Sequence, residues 1–536
     1  MDKLRRCLPP RIRQALEELP ATLDETYERT LLDMDEENQA YAHRLFQCLV
    51  VSFRPLRVEE LAEVLAFRFE EGRAPIFQMD WRSEDPRDAV LSTCSSLIAV
   101  VDVNGSTIVQ FSHFSVKEYL TSTRIAGGQV LRCYISLEPA HTLVTQACLS
   151  VLLQLDDQTT EERNKNFPLA GYAARYWVEH AKFDNVISEA DDMAKQLFDP
   201  RNSHFSAWVR IHDIDIDEAW FVLANAMSPR WDPPSDSPLA TPLYYAALCG
   251  FHGVAEWLID TRSQDVNASG GRYDTPLHAA AAGGSPEVVQ LLLTHNVDVN
   301  IRGEKNTTAL HHASEAGHVM ASRVLLDEGA DVNALNNDGE TPLIVASGYG
   351  SAKTCMEVVE LLLGRDANPN LRDHNGRPPI YVALMRDRLD VARLLRGRGA
   401  DPNARDDDGR TLLHLASQEG EPNAARGLLE LGVDVNSCDS EGKTPIRMAF
   451  DEGHDEIIQV LTEHGADAYS EDESGWAPIY GPLMATQPGL MELWSGHARH
   501  DPNPDTPDDD DETPLDIIRQ LAWDDPRIAE LEDEEE

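Results

Sequence analysis

The chain has 536 residues, and its 46 lysines and arginines against 93 aspartates and glutamates give a formal net charge of −47. This length predicts two or more domains. The charge argues against binding to nucleic acid or to anionic membranes, because both require a cationic surface. Eight scattered cysteines without a Cys-x-x-Cys pair predict reduced, mostly buried thiols. We therefore expect an intracellular, cytoplasmic protein, with the nucleus as the open alternative.

The N-terminal stretch MDKLRRCLPPRIRQALEELP is basic at first but has no apolar run after it. We therefore expect no signal peptide. A membrane helix needs about 18 or more uninterrupted apolar residues, and we find no such segment. Both observations predict a soluble protein without a membrane span.

Helical patterns dominate the first part of the chain. They cover Pro10–Leu19, Asp24–Asp33, Tyr41–Ser52 and Val58–Phe67, and DAVLSTCSSLIAV then reads as a helix that runs into a strand. Alternating apolar residues around Asn104-Gly105 predict a β-hairpin, and HFSVKEYL begins another helix. Three helices followed by a hairpin wing predict a winged-helix-like domain.

The domain boundaries follow from these patterns. We predict a helical segment over 1–40, the winged-helix-like domain over 41–130 and a helical connector with aromatic anchors over 131–227. The Pro-rich stretch SPRWDPPSDSP marks a linker over 228–240.

Two quoted stretches carry a resemblance to a known family. LPATLDETYERTLLDMDEENQAYAHRLFQCLVVSFRPLRVEELAEVL and FSHFSVKEYL resemble the region behind the nucleotide-binding domain of fungal NACHT–ankyrin proteins. These are STAND-type signalling NTPases, similar in plan to NOD-like receptors. The resemblance implies a segment that follows a NACHT module, and Met1 falls where such a module would be ending. It also implies that His113 could contact bound ADP if a NACHT domain were supplied. For the isolated chain we prefer a histidine bonded locally at a strand-to-helix turn.

From Thr241 onward the chain repeats itself. Units such as TPLHAAAAGGSPEVVQLLL and TLLHLASQEGEPNAARGLL start at positions 241, 275, 308, 341, 378, 411 and 444, so the period is mostly 33, with one interval of 37. Thr followed by Pro suits a helix start, since the hydroxyl caps free N–H groups and Pro fits the first turn. Glycines at regular positions suit left-handed helix ends. A lone unit cannot bury its apolar face, so neighbours must stack.

This pattern resembles the ankyrin repeat. The resemblance implies paired antiparallel helices with β-hairpin loops, stacked in a solenoid over 241–476. The fifth unit departs most from the pattern, with Pro378 in place of Thr and Asp387 in place of the stopping Gly. Residues 477–536 are expected to form a degenerate repeat and cap with an acidic insert and tail. The overall prediction is a mostly α protein, with a winged-helix and helical region before an ankyrin α-solenoid.

Several sequence features that suggest chemistry have simpler interpretations. Gly442-Lys443-Thr444 would need glycine five residues before Gly442 for a phosphate-binding loop, but Ser437 stands there. The third helix of the winged-helix-like region has no Lys or Arg, which disfavours DNA binding. Histidines 278, 311, 312, 318 and 414 recur along the repeats rather than converging, so we expect structural roles and no metal. Without a catalytic motif we expect no cofactor and no enzyme activity.

The candidate site is a partner-binding surface at the hairpin tips and the inner helix face. We expect its residues to bind a protein partner of basic or mixed charge, because acidic residues outnumber basic ones at the tips. They are Arg272, Tyr273, Glu304, Lys305, Glu315, Asn337, Asp338, Tyr349, His374, Asn375, Met385, Arg386, Asp407, Asp408, Gln418, Glu419, Ser440, Glu441, Lys443, Asp451 and Glu452.

Two functions therefore stand open. The chain is a non-enzymatic interaction scaffold, monomeric in isolation, whose ankyrin array senses a ligand or partner in signalling. Alternatively, it is a fragment, splice form or shortened paralogue of a STAND NTPase, namely the regulatory and sensor half, with the nucleotide-binding domain missing from this chain.

Overall fold

The computed structural model describes residues 22–34, 36–69, 75–94, 96–103, 105–122, 125, 130–155, 166–215, 240–349 and 352–467. The helix predicted over Pro10–Leu19, most of the linker and the degenerate repeat and cap lie outside these residues. Two compact units are present, one of residues 1–280 with 290–297 and one of residues 281–289 with 298–536.

The first unit begins with short helices around a small sheet. Its first helices and strands are α1 (Leu23–Leu32), α2 (Glu36–Val51), β1 (Leu56–Arg57), α3 (Val58–Val64), β2 (Phe67–Arg68), β3 (Ile76–Phe77), α4 (Pro86–Cys94), β4 (Ile98–Val103), β5 (Ser106–Phe111) and α5 (Phe114–Thr121). These overlap the predicted helices, but α2 begins five residues before the predicted Tyr41, and α4 begins at Pro86 and so includes Arg87, contrary to the prediction of a third helix without Lys or Arg. Helix α3 ends before the predicted Phe67, because Phe67 and Arg68 pair with β3 instead.

The predicted hairpin is confirmed. Strands β4 and β5 pair antiparallel from Ile98 opposite Phe111 to Val103 opposite Ser106, and β1 pairs with the other edge of β5. Gly105 takes a φ of 81° in the turn, which glycine adopts without a steric penalty. The sheet buries Val109 within a core that also includes Leu45 of α2 and Leu61 of α3.

The rest of the first unit's non-repeat part is helical. It contains α6 (Leu137–Leu152), α7 (Ala170–Ala181), α8 (Val186–Glu189), α9 (Asp191–Phe198) and α10 (His204–Ile211). The predicted aromatic anchors form one cluster, in which Trp177 lies 5.3 Å from Trp208 and 6.2 Å from Phe198 between ring centroids. All three are fully buried. The Trp208 indole N–H also donates to the Ala174 carbonyl at 2.9 Å.

This cluster continues into the first repeat. The Phe251 ring packs 5.3 Å from Trp177, and the Tyr245 ring packs 5.4 Å from Phe205. The Tyr245 hydroxyl donates to Asp213 at 2.7 Å, and the Tyr244 hydroxyl donates to the buried Asp215 at 2.8 Å. The helices α6–α10, from here on called the helical segment, thus cover the apolar end of the first repeat, which would otherwise face water.

The repeats consist of paired helices. First helices are α11 (Pro242–Cys249), α13 (Pro276–Gly283), α15 (Ala309–Ala316), α17 (Pro342–Gly348), α19 (Pro379–Met385), α21 (Leu412–Glu419) and α23 (Pro445–Glu452). Second helices are α12 (His252–Arg262), α14 (Pro286–Thr294), α16 (Val319–Asp327), α18 (Ala352–Leu363), α20 (Leu389–Gly397), α22 (Pro422–Glu430) and α24 (Asp455–Glu463). Seven predicted units therefore yield seven helix pairs within the described residues.

The predicted helix signals act as expected. Thr241, Thr341 and Thr444 each accept a hydrogen bond from the backbone N–H three residues later. Gly317 and Gly420 end first helices in the left-handed conformation. In the fifth repeat Asp387 takes this conformation with a φ of 56°, and Pro378 stands at the helix start without a side-chain cap.

The predicted β-hairpin loops are wrong in detail. Across the described part of the repeats, no residue lies in a β-strand. The tips are five-residue turns in which the first N–H donates to the fifth carbonyl, such as Asn336 N to Glu340 O at 3.0 Å. Adjacent tips of the second unit share single bonds, such as His374 N to Asp338 O at 2.9 Å. One bond between neighbours does not form a strand ladder.

Candidate partner-binding surface

The recurring histidines hold the repeat framework together. In the third repeat His311 Nδ1 lies 2.8 Å from Thr308 Oγ1, and Nε2 lies 3.1 Å from the Glu340 carbonyl of the next repeat. His414 repeats this arrangement with Thr411 at 2.9 Å and the Lys443 carbonyl at 3.0 Å. Burial lowers the pKa of His414, so the ring is neutral at physiological pH. The predicted structural role is confirmed for both histidines.

His278, His312 and His318 are engaged locally or with a neighbouring repeat. His278 Nδ1 lies 2.7 Å from Thr275 Oγ1, and His312 Nε2 lies 3.2 Å from Thr307 Oγ1. His318 Nε2 lies 3.0 Å from the Ala282 carbonyl of the preceding repeat. Among the residues that the structure describes, no group of three or more His, Cys, Asp or Glu side chains is placed to hold a metal ion.

The Gly442-Lys443-Thr444 triplet lies at a tip and a helix start. Gly442 has a φ of 81° in the turn, and Thr444 is the N-cap of α23. The Lys443 ammonium pairs with Asp451 at 3.2 Å. The triplet therefore begins the seventh repeat, as its alignment with Thr341 and Thr411 predicts.

His113 is bonded within its own turn. It is the N-cap of α5, and its Nδ1 accepts from the Ser115 N–H at 3.3 Å and lies 2.5 Å from Ser115 Oγ. Ser115 Oγ in turn lies 2.7 Å from the Tyr27 hydroxyl of α1. The preferred interpretation, a histidine bonded locally at a strand-to-helix turn, matches this geometry.

Most predicted partner-binding residues are exposed. The three exceptions, Tyr273, Met385 and Glu419, are half-buried. The exposed residues are Arg272, Glu304, Lys305, Glu315, Asn337, Asp338, Tyr349, His374, Asn375, Arg386, Asp407, Asp408, Gln418, Ser440, Glu441, Lys443, Asp451 and Glu452. We call those at 304–452 the tip surface. They lie in the turns or at the ends of first helices.

Some of the predicted residues also serve the framework. Arg377 donates to Glu419 from two guanidinium nitrogens at 2.7 and 3.0 Å, and Tyr381 donates to Glu419 at 2.8 Å. This carboxylate therefore joins the fifth and sixth repeats. At the first tip, the Arg272 N–H donates to Asp215 at 2.5 Å and the Tyr273 N–H to the Tyr244 hydroxyl at 3.0 Å. These contacts position the tip that carries Arg272 and Tyr273.

The sequence reasoning missed a second set of tip residues. Arg302 donates to the Leu335 carbonyl at 2.9 Å, and Arg405 donates to the Cys438 carbonyl at 2.6 Å, so each guanidinium joins two adjacent tips. Arg372, at the same repeat position, donates to Gly376 O within its own tip at 3.4 Å. Each of these three arginines stands two residues after an asparagine, at the same position of its repeat. This recurrence is visible in the sequence and could have identified them.

One aromatic residue is prominent on the tip surface. Tyr349 follows α17 and is 42% exposed, and the Arg386 guanidinium carbon lies 5.8 Å from the centre of its ring. The Tyr349 carbonyl accepts from Arg388 at 2.8 Å, which fixes the backbone beneath the ring. A cation over an aromatic face is stabilised by the ring quadrupole.

The described cysteines are mostly buried, as predicted. Cys48, Cys133, Cys148, Cys249 and Cys355 are buried free thiols, and Cys438 is exposed. Burial raises the pKa of the Cys48 thiol to about 12, so it stays protonated. Within the described ranges, no helix is both long and apolar enough to span a bilayer.

The helix pairs, turns and inter-repeat histidines define an ankyrin array. The family described as Ankyrin repeats (3 copies) matches residues 223–303, 243–336, 277–373, 321–406 and 391–472. The chain therefore contains ankyrin repeats, and the array is a module of the protein-binding class.

Individual relatives were also found. Azaphilone pigments biosynthesis cluster protein L of Monascus ruber is 34% identical over 294 residues, which are 52% of this chain and 60% of that protein. The chain thus spans less than two thirds of this curated relative. The ankyrin repeat domain of Bcl-3, a member of the IkappaB protein family, is 31% identical with a TM-score of 0.34 and covers 41% of this chain and 98% of that one. The human ASB11 ankyrin repeat domain is 27% identical with a TM-score of 0.32 and covers 38% of this chain and 90% of that one.

Proposed function

We propose that this chain is a non-enzymatic, cytoplasmic interaction scaffold for signalling, in which the tip surface binds a protein partner. One observation carries the proposal. Framework residues bond within the array, as His311 does to the Glu340 carbonyl and His414 to the Lys443 carbonyl, whereas 18 of the 21 predicted binding residues are exposed. Repeat arrays use such extended, side-chain-varied surfaces for recognition.

The charge of the tip surface indicates what kind of charge its partner carries. Exposed carboxylates occur in the fourth, sixth and seventh repeats, at Asp338, Asp407, Glu441 and Glu452. The nearby Lys443 ammonium is already paired with Asp451. A partner with a basic or mixed-charge surface would complement these carboxylates, and complementary charge raises the rate of association.

Affinity capture with two variants of the full chain tests this function. One variant carries Asp338→Asn, Asp407→Asn, Glu441→Gln and Glu452→Gln on the tip surface. The matched control carries four Glu→Gln changes on second helices, at the exposed Glu287, Glu360, Glu430 and Glu463. We expect partners that the wild type and the control retain but the tip variant loses, with capture weakening as salt rises. Equal capture by all three chains would refute the proposal.

A second function has its own supporting observation. Helices α2, α3 and α4 precede the β4–β5 hairpin, β1 joins the sheet, and His113 begins the helix that follows. We infer a winged-helix-like domain from this order, and that inference supports the alternative of a regulatory and sensor half of a STAND NTPase. The test is nucleotide binding by a complex of this chain with a separate NACHT domain. The sensor role predicts weaker ADP binding with His113→Ala, and unchanged binding would contradict it.

A further inference from the structure

The pair of Tyr349 and Arg386 differs in chemistry from the rest of the tip surface. Its guanidinium lies over an exposed ring, whereas the carboxylates at Glu315 and Glu452 are exposed on either side of it along the chain. We propose that this pair is the anchor of the partner-binding surface and accepts an aspartate or glutamate side chain of an extended partner segment. This inference rests on the proposed function and names the chemistry that its surface reads.

The pair is pre-positioned by the packing of two first helices. Helices α17 and α19 pack side by side, and a Cβ added at Gly348 would lie 2.6 Å from Val382 Cγ1. Only a residue without a side chain permits this approach, which brings the end of α17 and the end of α19 together. Tyr349 and Arg386 are the residues that directly follow these helices.

Hydrogen bonds from Arg388 fix the backbone that carries the Tyr349 ring. One guanidinium nitrogen of Arg388 donates to the carbonyls of Tyr349 at 2.8 Å and Ser347 at 3.4 Å, and it lies 3.1 Å from Cys355 Sγ. Arg388 is thereby committed to the framework. Arg386, the exposed arginine of the two, is left facing outward with Tyr349. An anchor whose backbone is already fixed loses less conformational entropy on binding.

The residue types are those that dominate binding energy. Tyrosine and arginine are enriched among the residues whose loss costs most in interfaces, and methionine is enriched in interface cores. Half-buried Met385 lies directly before Arg386 and adds apolar surface beside the pair. A carboxylate can bind the guanidinium edge while an apolar neighbour covers the ring.

The flanking charges define the rest of the segment. First helices of neighbouring repeats lie about 10 Å apart, and an extended chain advances about 3.4 Å per residue, so roughly three residues bridge one repeat. Among the exposed residues at the ends of first helices, Glu315 lies before the pair along the chain and Glu452 lies after it. The segment therefore carries one acidic residue between lysines or arginines spaced several residues away.

Selection of random linear peptides displayed on phage tests the anchor with the full chain as bait. We expect enriched sequences with an Asp or Glu flanked by basic residues. Arg386→Glu should weaken the enriched peptides by about 30-fold, the effect of losing one strong anchor. It should bind better to peptides in which that acid is replaced by lysine. Arg393→Glu, the same change at an exposed site on the second helix of the same repeat, is the control and should leave binding within about twofold.

The outcomes separate the two proposals. Enriched peptides that lose binding with the tip variant but tolerate Arg386→Glu as well as Arg393→Glu would overturn the anchor and leave the proposed function standing. Failure to enrich any linear peptide would also overturn the anchor, since it requires an extended segment. The capture experiment would then decide the proposed function independently.

Discussion

The helical segment and the ankyrin repeats both bury an apolar core, but they build it from different kinds of side chain. In the helical segment the core is built from large aromatic residues, including Trp177, Phe198 and Trp208. In the repeats it is built from small and aliphatic residues, such as Leu310 and Ala313, that recur at one period. An aromatic cluster is specific to its place, whereas repeat positions are interchangeable between units. Mutations should therefore have concentrated effects in the first region and repeated, equal effects in the second.

The largest effect is expected in the aromatic cluster. Trp208→Ala removes a fully buried ring that contacts Trp177, Phe198 and Tyr245, and should destabilise the first unit by about 3–5 kcal/mol. Urea denaturation followed by far-UV circular dichroism measures this. Trp81→Ala is the control, because Trp81 is 48% exposed and should cost under about 0.5 kcal/mol. Equal losses for both variants would show that the cluster is not the core of this region.

Acid should weaken the first unit next most. His180 is fully buried. Its Nδ1 lies 2.8 Å from His141 Nδ1, and its Nε2 lies 2.9 Å from the Tyr172 hydroxyl. Burial, with the neighbouring His141, lowers the pKa of His180 to about 3 from its ordinary 6.5. The unfolded chain therefore binds the proton first as pH falls, so the stabilisation present above pH 6.5 is lost on acidification.

The size of the loss follows from the two pKa values. Each pH unit below 6.5 should cost about 1.4 kcal/mol, or about 2 kcal/mol at pH 5. His180→Gln should lower stability at pH 7 but flatten its dependence between pH 7 and pH 5. Denaturation curves at the two pH values measure the difference. An unchanged slope in the variant would show that other groups govern the acid response.

In the repeats, equal positions should have equal effects. His414→Ala and His311→Ala each remove a buried ring that bridges its own threonine to the next repeat, and each should cost about 1–3 kcal/mol. His374→Ala, at an exposed tip, should cost under about 0.5 kcal/mol. Thermal denaturation of the three variants measures this. A large difference between the His311 and His414 variants would break the claim that repeat positions are interchangeable.

The smallest effect is expected at the tips. Arg405→Ala removes two hydrogen bonds from one guanidinium, to the Gly409 and Cys438 carbonyls at 2.5 and 2.6 Å. Since the site is exposed, the loss should be about 1 kcal/mol. Arg393→Ala should have no measurable effect, because the ion pair of Arg393 with Glu430 is exposed and 3.7 Å long. Amide hydrogen exchange at the sixth and seventh tips would detect the difference.

The periodic part of the molecule could be predicted from the sequence. Thr444, His414 and Gly420 each do what their type does at a recurring position, because the position within the repeat assigns their roles. The hairpin at Gly105 was predicted for the same reason, since a two-residue turn is a local signal.

Apart from the recurring tip arginines, the contacts that sequence reasoning missed are non-periodic and depend on distant partners. Asp215 meets Tyr244, which is 29 residues away, and Glu419 meets Arg377, which is 42 residues away. Neither pair follows from the type or spacing of its members. For this reason the sequence predicted that Glu419 would face a partner, whereas its carboxylate joins two repeats.

Amide hydrogen exchange of the full chain, alone and with a partner purified by the capture experiment, tests the central claim most directly. If the tip surface is the binding surface, protection on binding should appear at the turns and first-helix ends between 304 and 452, and be largest around Tyr349 and Arg386. The second helices and the aromatic cluster should exchange as before. Protection confined to the second helices or to the first unit's helical segment would contradict the account.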